Sequence, residues 1–416
     1  MSKIKKSERS LLLVLAAIQF TNIVDFMIMM PMGDILKKEL SIDPQHYGLL
    51  VSSYGIAAFI TAFAGVFYLD NLDRRKALLA AYFGFMIGTL SSAILPNTDN
   101  DAVNYLLFVF TRVITGLTGG LLSGLVMSIV GDAIPLERRG RAMGIITISF
   151  SLAAVLGMPI ALTLVDVFDN NWHVPFYGVT ILAVPIWLMA WNRIPPMREH
   201  LKNRQGYDRT AAIRMAFTSR EQRNALLFTV LLVLGQFTVI SFMTPYYINN
   251  VGLLQSDIKW IYLVGGAATV VSGFFIGRMV DVLGRFRVFS IAAALSIIPV
   301  LVITHLPVVP LYVVLAVAGF FFVLVSGRMI PANTIATSVV NPQQRAGFMS
   351  LNSAMMSLAS GSSGIIAGAI ITQANEHSPL MNYQWVGYLA AVSTILSLAV
   401  VRVLRRIAIE RESTNP

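Results

Sequence analysis

The chain is divided into apolar blocks of about 20 residues, separated by short polar turns, and this division restricts its folds more than any other feature. A helix rises about 1.5 Å per residue, so one block matches the ~30 Å hydrocarbon core of a bilayer. The blocks predict twelve spanning helices, near residues 10–33, 47–69, 77–96, 104–130, 142–166, 175–194, 224–248, 258–280, 287–306, 309–333, 346–372 and 384–404. They are too long, and alternate too little, for the roughly 10-residue strands of a membrane β-barrel. Only 12% of the residues are charged, against about 25% in a soluble domain. The opening MSKIKK and the run after it have the charge pattern of a signal peptide. No small-residue cleavage site follows, and the run is longer than an h-region, so it reads as span 1. The fold class is therefore an all-α, multi-pass integral membrane protein.

A formal net charge of +10 would, on a soluble chain, suggest a nucleic-acid partner. Its distribution points to the bilayer instead. With the N-terminus inside, 26 of the 31 Lys and Arg fall on the inner side. Lys37, Lys38 and Lys259 fall outside, and Arg112 and Arg328 fall within spans. By the positive-inside rule both termini are expected in the cytoplasm, with the basic residues setting orientation and touching lipid. There are no cysteines, hence no disulfide and no thiolate site. His46, His173, His200, His305 and His377 are scattered at loops and span ends, so no metal is expected. The phosphate-loop pattern GxxxxGK[ST] is missing, which argues against an ATP-driven pump. No catalytic constellation stands out, so an enzyme is not expected, nor any cofactor.

The longest polar stretch, Asn192 to Arg223, divides the chain into residues 1–194, a cytoplasmic linker 195–223, and residues 224–416. The linker is basic and has room for a short amphipathic helix on the membrane surface. The two halves echo each other. QFTNIVDFM from Gln19 returns as QFTVISFM from Gln236, with one residue deleted. DNLDRRK from Asp70 returns as DVLGRFR from Asp281, and ERRGRAM from Glu137 as QQRAGFM from Gln343. Related halves with a site between them are how many transporters are built.

The motif GRMVDVLGR, carrying Gly277, Arg278, Asp281, Gly284 and Arg285, resembles the cytoplasmic loop signature G-x-x-x-D-x-x-G-R of the major facilitator superfamily. In the first half Asp70, Arg74 and Arg75 fit the same signature, but Asp73 stands where glycine is usual. PLERRGRAMG after span 4 and LLFVFTRVITGLTGG, with Arg112 and Gly116, are similar to that family too. LGMPIA in span 5 resembles the proline motif of its drug:proton and sugar-efflux branch, except that Met158 separates Gly157 from Pro159. The resemblance covers almost the whole chain. It implies two pseudo-symmetric six-helix bundles in the bacterial inner membrane, working by alternating access on a small organic solute. It also implies that spans 1, 4, 7 and 10 line a central cavity, and that the loop motif serves either as a latch between the halves or as a topology signal. A monomer is expected.

Asp25 is the residue that most needs a reason. An ionised carboxylate mid-membrane costs about 2.5–3.5 kcal/mol even on lenient insertion scales, so it must be paired, hydrated or protonated. Asp25 and Arg112 each lie about eight residues from the expected outer end of their span, hence ~12 Å deep. Two readings stand: a proton-coupling pair, or a fixed ion pair that sets span 1 against span 4. The matched phrase in span 7 keeps Gln236, Thr238 and Ser241 but has no acid. Gln19, Asn22, Phe26, Gln236, Thr238 and Ser241 are candidates for a solute-binding surface, or for hydrogen bonds that tie helices together. Arg328, about five residues from the expected inner end of span 10, either snorkels to the surface or contacts an anion together with Asn333. Two arginines and one acid give a cavity near +1, which leans toward a neutral or acidic solute.

The sequence thus supports a secondary transporter, proton-coupled efflux being the leading version. Proton–solute symport or facilitated uptake is the first alternative, and a non-transporting sensor or scaffold on the same fold is the other.

Overall fold

The computed structural model describes residues 6–96, 98–198, 209–338, 340, 345–375 and 378–414. Among the described residues, twelve helices are long and apolar enough to cross a membrane. Spans 1 to 6 are Lys6–Ile28, Pro44–Tyr68, Arg74–Ala93, Asp101–Ala133, the compound helix from Leu136 to Val167, and Val174–Arg193. Spans 7 to 12 are Arg220–Tyr246, Gln255–Leu283, Arg285–Thr304, Leu311–Ser338, Arg345–Ile370 and Tyr383–Thr414. An even number of crossings brings both termini to one face, here called the terminal face.

The turns that start the helices are written in short polar residues. Asp43 caps span 2, its carboxylate accepting from the His46 N–H at 2.8 Å, with Pro44 already holding a helical φ. Asp73, Asn100 and Ser219 cap spans 3, 4 and 7 in the same way.

Three boundaries differ from the sequence reading. Span 1 stops at Ile28 rather than near 33. Pro31 has no N–H to continue the ladder, and the chain turns through Met29–Met32 into a short buried helix, Gly33–Glu39. Span 5 is interrupted by a π-turn at Ala153–Gly157, just before Pro159. Span 10 runs on to Ser338, five residues past the expected end, which changes the depth of Arg328. In the linker, helix Arg209–Thr218 packs on spans 7 and 11, and 199–208 lie outside the described residues.

Spans 1–6 pack mainly among themselves, as do spans 7–12. The two sets meet where span 2 lies along span 11 and where span 5 crosses span 8. The first contact is a glycine seam. A Cβ on Gly48 would lie 2.3 Å from the Gly364 carbonyl oxygen, and one on Gly55 would lie 2.5 Å from the Gly361 Cα. Backbones this close gain dispersion contacts that larger residues would block.

Bonds between the two sets cluster at the face opposite the termini. The Lys259 ammonium meets Asp166 at 2.8 Å, and Lys37 donates to Gln373 at 2.7 Å. Asn249 donates to Asp34, and the Tyr47 hydroxyl donates to the Ser241 carbonyl at 3.2 Å. The Ser52 hydroxyl accepts from the Ile365 N–H at 2.9 Å. Toward the terminal face, Gly124 and Gly131 of span 4, Gly144 of span 5 and Gly277 of span 8 look into open space.

Widening the seam should therefore open the stitched face. Ser52 is fully buried and the chain has no cysteine of its own, so Ser52→Cys is a clean reporter. The single variant should resist a membrane-impermeant maleimide. Adding Gly364→Leu should raise its labelling rate at least severalfold.

Candidate functional site

Asp25 and Arg112 meet deep between spans 1 and 4, and both side chains are 0% exposed. Arg112 Nη2 lies 2.9 Å from Asp25 Oδ2, while Nη1 donates to Oδ1 at 3.2 Å. The alignment is uneven. Nη2 directs its hydrogen bond at the main-chain carbonyl of Asp25, 3.2 Å away, so Oδ2 has an ionic neighbour but accepts no aligned hydrogen bond. Thr89 of span 3 donates to Oδ1 at 3.2 Å. The guanidinium sits over the rings of Tyr54 and Phe176, 5.0 and 5.6 Å from their centroids. Cation–π contact of this kind is strongest where water is excluded.

The pair is linked outward through one tyrosine. Tyr54 donates to Asn22 Oδ1 at 2.6 Å, and Asn22 Nδ2 donates to the Gly119 carbonyl at 3.4 Å. One turn along span 1, Gln19 donates to Ser123 of span 4 at 3.0 Å. On the other side of Asn22, Phe26 touches both Tyr54 and Phe237 of span 7, with centroids 5.3 and 5.7 Å away. Phe26–Phe237 is a direct contact between the two sets of spans. Gln19, Asn22 and Phe26 thus form one face of span 1, with Phe26 reaching across to the second half.

Several residues singled out from the sequence land elsewhere. The Thr238 and Ser241 hydroxyls are turned onto their own helix. They donate to Leu234 O at 3.0 Å and Phe237 O at 2.7 Å on their own helix. Gln236 is buried and its Oε1 has no partner. Arg328 does not snorkel. With span 10 extended it lies ten residues from the helix end, 1% exposed, and donates to Ser296 and Thr394 at 3.0 and 3.1 Å. A side chain that deep has no path to the surface. Asn333 is exposed while Arg328 is buried.

In the first loop motif, Arg74 is buried and bonds Asp132 of the same half at 3.2 Å, and Arg75 bonds the Trp191 carbonyl. Asp70 lies in the turn Leu69–Asn71, and its side chain is outside those described. In the second, Arg278 and Arg285 lie over Phe274 and Phe286, and Gly284 takes the left-handed φ of +82° that lets span 8 reverse into span 9. Asp281 is exposed. The bonds named here tie each loop to its own half. In span 5, Gly157 makes room for Val24 of span 1, because a Cβ there would lie 2.4 Å from Val24 Cγ2. Pro159 follows one residue after the π-turn, past Met158.

Sequence reasoning missed Tyr54, Thr89 and Ser123. Each is a polar side chain within an apolar run, the same signal that picked out Asp25, and each was passed over because a lone hydroxyl can bond its own helix.

Two packed sets of six spans, with an ion pair sealed in one of them, have the architecture of a membrane carrier. The family model described as the Major Facilitator Superfamily matches residues 15–254 and 225–416, and the chain belongs to that superfamily of transporters. Among curated proteins, it is 26% identical over 303 residues to the uncharacterised MFS-type transporter YwfA of Bacillus subtilis, covering 71% of this chain and 69% of that one. It is 24% identical to a probable sugar efflux transporter of Mannheimia succiniciproducens, over 84% and 83% of the two chains. A chloramphenicol efflux pump of Mycobacterium tuberculosis is 25% identical over 61% of this chain and 59% of its own. Among solved structures, the D-xylose–proton symporter superposes with a TM-score of 0.75 at 16% identity, over 94% and 97% of the chains. A bacterial homologue of the human lysosomal transporter Spinster superposes at 0.73, with 14% identity over 98% and 99%. These structural likenesses show the fold. With twelve spans and bacterial relatives, the chain is a multi-pass protein of the inner membrane.

The two buried arginines should respond differently to removal. Arg112→Leu strands the Asp25 carboxylate and should cost about 3–5 kcal/mol, with part recovered in Asp25→Leu/Arg112→Leu. Arg328→Met removes a charge with no acid partner among the described residues, and Ser296 and Thr394 still bond their own helices. It should leave the thermal midpoint in detergent unchanged or raised.

Proposed function

We propose that this protein exports a small, uncharged organic solute in exchange for protons, the Asp25–Arg112 pair being the proton-coupling element. The observation that carries the reading is Oδ2 of Asp25: a fully buried carboxylate oxygen that accepts no aligned hydrogen bond and is where a proton would sit. An intramembrane acid is by default a functional group. Protonation at Oδ2 neutralises Asp25 and leaves Arg112 with only neutral partners. The guanidinium then shifts against the Tyr54 ring. Through the Tyr54–Asn22 bond that shift reaches the face of span 1 that carries Phe26 to the second half.

The halves, residues 1–194 and 224–416, rock about the span 2–11 and span 5–8 contacts. The stitched face is the outer gate and the terminal face the cytoplasmic opening, by the positive-inside count. Opening outward breaks Lys259–Asp166, Lys37–Gln373 and Asp34–Asn249. The loop motifs then come within reach of the opposite half, where they can act as a latch. The efflux direction is supported by relatives named as sugar and chloramphenicol efflux proteins. Sugars and chloramphenicol are both neutral and hydroxylated, so a proton gradient rather than the membrane potential on the solute would drive them. The second reading, proton–solute symport, has one observation in its favour: Met158 parts the Gly-Pro pair of the span-5 antiporter motif.

Proteoliposomes with an imposed pH gradient test this. Radiolabelled methyl glucoside or chloramphenicol should move against its gradient with the wild-type protein. Asp25→Asn should reduce gradient-driven movement to the rate seen without a gradient, while solute exchange persists. Full gradient-driven transport by Asp25→Asn would refute the coupling role.

A further inference from the structure

Buried polar groups nearly always have a partner, so those without one mark places where something else supplies it. Among the described residues, the uncharged side chains with a buried polar atom that lacks a partner are Gln236, Thr244, Tyr247, Gln255, Tyr262 and Asn352. All six belong to the second half. In the first half the comparable groups are used up, as in Tyr54–Asn22, Gln19–Ser123 and Ser92–Thr111.

The unpaired groups follow a line. Gln236, Thr244 and Tyr247 are spaced i, i+8 and i+11, which puts them on one side of span 7 over about 16 Å. The last sits where a π-turn, Tyr247–Val251, follows Pro245. Tyr262 of span 8 brings its hydroxyl beside Thr244 without aligning a hydrogen bond. Gln255, two turns earlier on span 8, spends its amide N–H on the Pro31 carbonyl at 3.4 Å and leaves Oε1 free. Thr244 and Tyr247 are 0% exposed and Tyr262 is 3% exposed. Tyr47 lies against the middle of the line, its hydroxyl reaching the Met29 carbonyl just past span 1 and the Ser241 carbonyl of span 7.

We infer that Gln236, Thr244, Tyr247, Gln255 and Tyr262 form an uncharged binding track that takes the hydroxyl or amide groups of a neutral solute as the halves part. The inference rests on the proposed transport function and names the solute class and the surface that holds it. Two phenols and a threonine hydroxyl donate and accept, and the two glutamine carbonyl oxygens accept. The acids at this end already have partners: Asp34, on the short helix, is held by Lys38 at 2.8 Å and by Asn249, and Asp257 accepts from the Leu254 N–H at 3.1 Å. Burying an ion beside such groups without a counter-charge is strongly unfavourable. Phe322 against Tyr262, with centroids 5.9 Å apart, supplies an apolar wall for the solute's hydrocarbon face.

The test uses the full-length protein in detergent, with thermal midpoint and calorimetric binding as readouts. The probes are methyl β-glucoside, chloramphenicol, tetraphenylphosphonium and benzoate. The wild type should bind at least one neutral probe and neither ion. Tyr247→Phe, Tyr262→Phe and Thr244→Val should each weaken that binding about fivefold to tenfold, the effect of one lost hydrogen bond. Because the deleted hydroxyls have no internal partner, the unliganded midpoints should not fall. Tyr312→Phe, at an exposed site on span 10, is the control and should bind as wild type. Binding of only an ion, or of no neutral probe, overturns the inference. So does wild-type affinity in the three variants, the outcome expected if ordered water alone completes these groups. A drop of several degrees in the unliganded Tyr→Phe midpoints would show internal partners and also overturn it. The coupling reading stands or falls separately, on whether Asp25→Asn transport follows the pH gradient.

Discussion

Inside hydrocarbon no water answers an ion or a dipole, so each must be answered by the protein itself. Asp25 shows what that demand builds. Its carboxylate draws Arg112 from span 4, Thr89 from span 3, and through Arg112 the rings of span 2 and span 6. Five of the first six spans are registered around one charge. Spans 1 to 4 and span 6 can shift relative to one another only by exposing an ion or breaking a bond. The first half is therefore suited to move as a rigid body. A rocking mechanism requires such a body, because the free energy of a changed proton or solute must tilt whole halves rather than be absorbed by local relaxation.

The second half answers the same demand differently. Among the described residues Arg328 has no acid partner and is held by two hydroxyls and the Leu232 carbonyl. Its uncharged polar groups are left partly unpaired. Under the proposed function the two halves divide the labour. One stores a charge that can be switched. The other offers neutral hydrogen-bonding groups where a solute can lie. The glycine seam between spans 2 and 11 lets them pivot, since its close backbones keep contact without interlocking side chains.

The fold was largely legible because its strongest signal is one-dimensional. Length of apolar run and spacing of turns need no knowledge of packing. The boundaries that went astray are those where a local rule competes with continued hydrophobicity. Pro31 ends span 1 inside an apolar stretch, and span 10 continues past polar residues because its far end remains helical. The snorkelling reading of Arg328 fell with that boundary, since five residues decide whether a long side chain can reach water. Asp25 and Arg112 were legible as a pair because a charge in an apolar run is rare and their counted depths agreed. Tyr54 and Thr89 were not, because a hydroxyl in a helix can be satisfied locally and so gives no sign of a distant partner.

The class of molecule was written in the order of residues alone: twelve crossings, two related halves, one acid and two arginines within the membrane. These follow from the energetics of single residues and segments in hydrocarbon, which add along the chain. Which polar groups are already spent, and which remain free, emerged only with the packed helices. Thr238 and Ser241 turned inward on their own helix, while Gln236, Thr244 and Tyr262 were left open. That outcome depends on which helix lies opposite and at what register, and neither quantity can be summed residue by residue.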